Sequence, residues 1–177
     1  MNYRIVYLLK GESKKYAEKL IKDVVKKFNV NYCYSGKQPA HITLKYRFET
    51  NNVRKVEKLI GDVCKNSKSS YFEIGGIGNF TKHALILKVK PSKEMIKFEK
   101  DLVKALKDYN GDLGKYDNSL YKNFHVGIAH HGIEDKFSEI KSYLKRFNKK
   151  FKVKFDKIYL IKKTKNKWII KKKYTLS

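Results

Sequence analysis

Two histidines at matched positions are the residues of this sequence best suited to chemistry. His41 begins the segment HITLKYRF, and His125 lies 84 residues later in FHVGIAHH. An imidazole has an ordinary pKa of about 6.5, so it can give or take a proton at neutral pH. In-line displacement at phosphorus needs a base on the entering oxygen and an acid on the leaving oxygen. Two such rings on opposite walls of a cleft therefore indicate phosphoryl chemistry.

The neighbours of the two histidines add to this hypothesis. Thr43 lies two residues after His41, on the same side of an alternating strand, where its hydroxyl could bind a phosphate oxygen. Lys45, further along that predicted face, could add positive potential. Gly127 holds the position after His125 that matches Thr43, and it offers no side chain but lets a ligand approach closely. No Asp or Glu cluster accompanies these residues, so we expect catalysis without a metal or another cofactor.

The periodicity of apolar residues predicts the elements that carry these side chains. Ser13, Asn51 or Asn52, and Ser92 are the expected N-caps of three helices. In the first half we predict strands at 2–9, 41–48, 71–74 and 84–89, with GGIGN at 75–79 as a loop. In the second half we predict strands at 124–129, 151–160 and 168–176, with a helix that begins at Asp135.

The two halves of the chain keep the same order of elements. Tyr71 and Phe155 are also 84 residues apart, as are Ala84 and Trp168. We therefore expect an α+β fold in which a β-α-β-α-β module is duplicated about a pseudo-two-fold axis. The prediction is one bilobal domain over 1–177, with repeats at 1–83 and 84–177 and antiparallel sheets lining a central cleft. Such an axis would bring both histidines to the same cleft.

Composition narrows the class of partner. The 177 residues contain 42 Lys+Arg against 17 Asp+Glu, a formal net charge of +25. This charge favours polyanions such as nucleic acid, although a coding bias toward lysine would give the same excess. No apolar run is long enough to span a membrane, and Cys33 and Cys64 lack the spacing of a zinc site or a disulfide framework. We expect a cytoplasmic monomer without an obligate protein partner.

At this point the sequence resembles a known family. PAHITLKYRF and FHVGIAHH are similar to the paired H-x-[TS] signatures of the 2H phosphoesterases, in the branch of 2′-5′ RNA ligases and RNA 2′,3′-cyclic phosphodiesterases. YFEIGGIGNFTKHALILKV and the closing hairpin with its Trp are also similar to that family. The resemblance implies metal-independent cleavage of a cyclic phosphate or a 2′-5′ linkage, on RNA or a nucleotide. It implies His41 and His125 as the acid/base pair and Thr43 as a phosphate-binding hydroxyl.

The second signature departs from the family pattern at two positions. Gly127 stands where the family has Thr or Ser, and His130 stands where RNA-processing relatives often have Arg. Both positions are expected at the substrate phosphate, so the departures leave two alternatives open. One is a weakly active or non-catalytic RNA-binding protein, and the other is an enzyme that acts on 2′-5′ linkages or cyclic oligonucleotides. The aromatic candidates for stacking on a base are Tyr32, Tyr34, Phe80, Tyr116 and Tyr121.

Overall fold

A computed structural model describes residues 1–30, 39–109, 114–117, 123–165 and 167–177. These residues form eight strands, four α-helices and two short 3₁₀ turns. In chain order the elements are β1 (Asn2–Leu8), α1 (Gly11–Phe28), β2 (His41–Glu49), α2 (Val53–Lys65), β3 (Ser70–Phe80), β4 (Ala84–Lys90), α3 (Lys93–Ala105), a 3₁₀ turn (Gly114–Asp117), β5 (His125–His130), a 3₁₀ turn (Glu134–Lys136), α4 (Phe137–Lys145), β6 (Lys150–Phe155), β7 (Lys157–Lys163) and β8 (Trp168–Thr175).

All eight strands belong to one antiparallel sheet, which confirms the predicted α+β class. The strand order is β6-β3-β4-β5-β2-β1-β7-β8. The two histidine strands, β2 and β5, are neighbours at the middle of the sheet. They share one registered pair, Ile42 with Val126, so this seam is narrow. The predicted symmetry therefore has a counterpart in the order of the strands, although the duplication itself remains a prediction.

The two sides of the seam exchange strands between the halves of the chain. On one side β2 and β1 are followed by β7 and β8 from the C-terminal part of the chain. On the other side β5 and β4 are followed by β3 from the N-terminal half, and then by β6. Each side of the sheet is thus completed by strands from the other half of the sequence, which ties the two halves into one unit.

Apolar side chains lie on both faces of the sheet. The main core contains residues of all four helices together with strand residues such as Ile42 and Val126, both fully buried. A second, smaller cluster lies on the opposite face and contains strand residues alone. Its members are Val6, Leu8 and Ile161, with Tyr159 and Trp168 packed against them. This second face carries the candidate site. Within the described ranges, no helix is long and apolar enough to cross a membrane.

The predicted caps are confirmed for two helices. The Asn52 side chain accepts a hydrogen bond from Lys55 N at 3.1 Å, and Ser92 accepts one from Met95 N at 3.0 Å. Each bond satisfies one of the exposed N–H groups at a helix start. The prediction for α1 is wrong, because the helix begins at Gly11 and the hydroxyl of Ser13 donates to the carbonyl of Lys10 instead.

Two predicted strand boundaries are also wrong. The segment GGIGN is not a loop, because it continues β3 after a bulge at Gly75 and Gly76. A β-carbon at Gly75 would lie 2.7 Å from the carbonyl oxygen of Lys149, so the neighbouring backbone requires glycine there. The predicted strand 151–160 is divided at Asp156, and β6 and β7 then pair on opposite sides of the sheet. Neither feature leaves a trace in the alternation of residues.

A β-bulge follows the first two alternations in both histidine strands. In β2, Thr43 pairs with Val6 and Lys45 pairs with Ile5, so that Leu44 is the extra residue. In β5, Gly127 pairs with Ile86 and Ala129 pairs with Leu85, so that Ile128 is the extra residue. The two extra residues are again 84 positions apart. A bulge shifts the alternation by one residue, so side chains beyond it change face.

Candidate active site

His41 and His125 lie on the same face of the sheet, beside the seam. Ile42 and Val126 form the registered pair between the two strands, and both point into the main core. Because side chains alternate along a strand, the histidines before them point to the opposite face. Leu8, the register partner of His41, belongs to the second apolar cluster on that face. The structure thus brings the two predicted histidines together.

Each histidine ring is oriented by a backbone carbonyl two residues earlier. Nδ1 of His41 lies 2.9 Å from the oxygen of Pro39, and Nδ1 of His125 lies 2.7 Å from the oxygen of Asn123. A carbonyl oxygen can only accept, so Nδ1 must carry the proton in both rings. Nε2 is then the nitrogen through which each ring can take up a proton or release one. Phe80 further fixes the ring of His125 by an edge contact with centroids 4.8 Å apart.

Neighbouring positive groups and burial keep His41 neutral. Desolvation of the ring lowers the pKa of His41 to about 4, and the nearby Arg4, His125 and His130 lower it further, against the opposing bond to Pro39. Desolvation also lowers the pKa of His130 to about 4, with contributions from His125 and His131. These mutual effects place several imidazoles close together in one site that favours incoming negative charge.

The register at the seam places Thr43 and Gly127 among the histidines. Continuing the pairing of Ile42 with Val126 by one residue in each direction sets Thr43 opposite His125 and Gly127 opposite His41. Both residues are partly exposed on the site face. Thr43 therefore has the position expected for a hydroxyl that binds a phosphate oxygen.

Lys45 does not lie on this face, and that prediction is wrong. The bulge at Leu44 turns Lys45 toward the core side, where its register partner is the buried Ile5. The side chain is 0% exposed, and Nζ forms an ion pair with Asp117 at 2.5 Å. The other carboxylate oxygen of Asp117 accepts a hydrogen bond from Tyr46 N at 2.8 Å. Lys45 thus holds the 3₁₀ turn 114–117 against β2 rather than facing a ligand.

His130 is brought to the site by the second bulge. Strict alternation would have placed His130 on the core face with Val126, but the extra residue Ile128 returns it to the face of His125. The two rings have centroids 6.4 Å apart. A β-carbon built on Gly127 would overlap Nε2 of His130 and would lie 2.9 Å from its Cδ2. The ring of His130 thus fills the space that a side chain at position 127 would occupy.

The sequence reasoning missed one charged residue and an apolar wall next to His41. Arg4 pairs with Ile161 on the site face, and its guanidinium carbon lies 4.6 Å from the centroid of the Trp168 ring. Leu8 and Val6 extend this wall as the register partners of His41 and Thr43. A charged residue inside the otherwise apolar strand NYRIVYLL is the signal that could have indicated Arg4.

The predicted stacking aromatics are divided by the structure. Phe80 packs on His125, and Tyr116 packs on Tyr46 with centroids 5.6 Å apart, so both rings are engaged within the protein. Tyr32, Tyr34 and Tyr121 lie outside the described residues.

Comparison with known proteins identifies the family. The model of the 2′-5′ RNA ligase superfamily matches residues 17–167, which is most of the chain. This chain belongs to that superfamily. The recognition of a 2H phosphoesterase from the two signatures is therefore confirmed, and the superfamily supports a phosphodiesterase-type or ligase-type enzyme. The curated proteins include no match to this sequence.

Solved structures share the fold of this superfamily member at low sequence identity. TT0787 of Thermus thermophilus aligns with a TM-score of 0.65 and 14% identity, over 99% of this chain and 98% of its own. E. coli LigT, solved with 3′-AMP, aligns with a TM-score of 0.59 and 11% identity, over the same shares of the two chains. At these identities the likeness establishes the fold, and the site must be judged on the residues of this chain.

The donor set in the described part of the chain contains no group of three or more His, Cys, Asp or Glu side chains arranged for a metal ion. The nearest carboxylate to the histidine strands among the contacts above, that of Asp117, is engaged with Lys45. The chemistry available at the seam is therefore that of imidazoles, a hydroxyl and backbone groups.

Proposed function

We propose that this chain is a metal-independent phosphodiesterase that hydrolyses 2′,3′-cyclic phosphates on RNA or on small nucleotides. The observation that carries the proposal is the matched pair His41 and His125. Both rings lie on one face beside the seam, and both hold Nδ1 against a carbonyl two residues earlier. Two rings fixed in the same tautomer offer two Nε2 atoms to one phosphate, as in-line displacement requires.

The proposed step is hydrolysis at phosphorus. One imidazole takes a proton from water as the water oxygen forms its bond to phosphorus, and the bond to one ribose oxygen breaks. The other imidazole gives that ribose oxygen its proton, so charge and protons balance. Thr43 donates its hydroxyl hydrogen to a non-bridging oxygen and stabilises the charge that develops there. The family resemblance favours breaking the bond to O3′, which leaves a 2′-phosphate.

The surroundings of His41 support a nucleotide as the substrate. The wall of Leu8, Val6 and Trp168 lies beside His41 and Thr43, and an apolar surface with an aromatic ring suits a nucleobase. Arg4 adds a positive charge at the same wall. We expect this protein to act in the cytoplasm as a monomer on RNA or nucleotides that end in a cyclic phosphate, with no cofactor.

The test is an assay of 2′,3′-cyclic nucleotides and cyclic-phosphate-ended RNA in the presence of EDTA. Wild-type protein should turn over, whereas His41→Ala and His125→Ala should each lose activity by at least about 10²-fold. His83→Ala is the matched control, because His83 is an exposed histidine in an ion pair with Glu134, and it should keep wild-type activity. Turnover that survives either site variant would remove that residue from the mechanism.

Gly127 favours a second candidate, a weakly active RNA-binding protein of the same fold. The second signature lacks its hydroxyl at this position. In that case RNA should bind with a steep salt dependence and without turnover, and His41→Ala should leave the affinity unchanged. Profiling 2′-5′-linked and cyclic oligonucleotides in the same assay distinguishes the remaining substrates.

A further inference from the structure

The space above Gly127 is filled by a side chain from further along the same strand. A β-carbon on Gly127 would overlap Nε2 of His130 and lie 2.9 Å from Cδ2 and 3.3 Å from Cε1. A threonine hydroxyl is one bond beyond the β-carbon, so it would share its space with this ring. The imidazole of His130 therefore stands where the hydroxyl of the second signature would stand.

The backbone does not explain the glycine. Gly127 is not in the left-handed region, unlike Gly75 and Gly76, so its φ suits any L-residue. Among the atoms of the described residues, the ring of His130 is the first that a side chain at 127 would meet. The absence of a side chain at Gly127 and the position of His130 are thus two parts of one arrangement, and the bulge at Ile128 makes it possible.

We infer that His130 replaces the missing hydroxyl of the second signature and donates a hydrogen bond from its imidazole to a non-bridging oxygen of the substrate phosphate. The inference rests on the proposed phosphodiesterase function and adds a substrate-binding residue to it. The ring lies 6.4 Å from that of His125 and lowers the pKa of His41 through its charge, so it is at the same site. A neutral imidazole has one N–H donor, and a protonated ring has two.

The pseudo-symmetry gives the arrangement a counterpart. Tyr46 lies 84 residues before His130 and also follows a bulge, but Thr43 keeps its side chain at the position that matches Gly127. On the β2 side the phosphate therefore meets a hydroxyl from the strand itself. On the β5 side it meets a ring that reaches back over a glycine. The two halves of the site provide one donor each by different routes.

A double-mutant cycle on kcat/KM for a 2′,3′-cyclic nucleotide tests the inference. His130→Ala should lower kcat/KM by about 10²- to 10³-fold, the usual effect of removing one such donor. Gly127→Thr in the same chain should restore it to within about tenfold of wild type, because the hydroxyl then has room. Gly127→Thr alone should not exceed wild type. A His130→Ala variant within threefold of wild type, or a folded double variant no better than His130→Ala, would overturn the inference.

Binding of inorganic phosphate provides a readout that needs no turnover. In protein with isotope-labelled histidines, the ring resonances of His130, His41 and His125 should shift with one common Kd. The resonance of the exposed His83 should not follow that curve. His130→Ala should weaken phosphate binding by about tenfold. If wild type fails to hydrolyse cyclic phosphates but His130 responds with His41, the proposed function fails and this inference stands. If His41 and His125 respond and His130 does not, His130 only fills space.

Discussion

Acidification should destabilise this fold through two rings of the candidate site. The pKa of His41 and that of His130 are each lowered from 6.5 to about 4, in both cases mainly by desolvation. In the unfolded chain both rings return to the ordinary value. Between pH 6.5 and pH 4 the unfolded state therefore binds more protons than the folded state. The free energy of unfolding must fall as the pH is lowered through this window, and it is restored as the pH rises above 6.5.

The magnitude follows from the size of the shifts. One pKa unit corresponds to about 1.4 kcal/mol. At pH 5 the unfolded ring is almost fully protonated and the folded ring is almost fully neutral, which gives about 2 kcal/mol per ring. Both side chains are partly exposed, so screening reduces this to roughly 1–2 kcal/mol each. The two rings together then account for about 2–4 kcal/mol, a large share of the roughly 5–15 kcal/mol that stabilises a typical domain.

The assay is urea denaturation at pH 7.5 and pH 5.0 of wild type and of the double variant His41→Gln/His130→Gln. Carboxylates titrate in both proteins, so their contribution cancels in the difference between the two. Wild type should lose about 2–4 kcal/mol more than the variant on acidification. Direct titration of the ring resonances should place the midpoint of His41 well below 6.5. Equal losses in the two proteins, or a midpoint near 6.5, would show that the rings are not desolvated and would refute the reasoning.

Three further predictions concern the support of the site, its donor and its apolar wall. Asp117→Ala leaves the charge of Lys45 buried without its carboxylate and should lower the free energy of unfolding by about 3–5 kcal/mol in urea, whereas Lys45→Met/Asp117→Leu should recover most of it. Thr43→Ala should lower kcat/KM by about 10²-fold while Thr43→Ser stays within a few-fold, and equal losses in both would place the hydroxyl away from the phosphate. Trp168→Ala should raise KM for a nucleotide by about 5-fold or more with kcat little changed, since stacking contributes to binding; an unchanged KM, with Trp168→Phe as the control, would exclude Trp168 from the base subsite.

The sequence alone determined the fold class, the family and the two central histidines. Apolar periodicity fixed the helices well, because a helix buries a stripe of several residues at a spacing that few other structures share. The caps Asn52 and Ser92 followed from local hydrogen-bond chemistry, which needs only neighbouring residues. The matched positions of His41 and His125 indicated a common site, and the adjacency of β2 and β5 now places both rings beside one seam.

The tertiary structure alone decided which side chains beyond the histidines face the site. Alternation predicts a face only while the strand is regular, and single extra residues at Leu44 and Ile128 reversed it. Lys45 consequently left the site for Asp117, a partner 72 residues away that no local pattern could indicate. His130 entered the site by the same kind of bulge and took the space over Gly127. A bulge is set by the pairing of distant strands, and this is why the sequence specified the chemistry of the site but not its full membership.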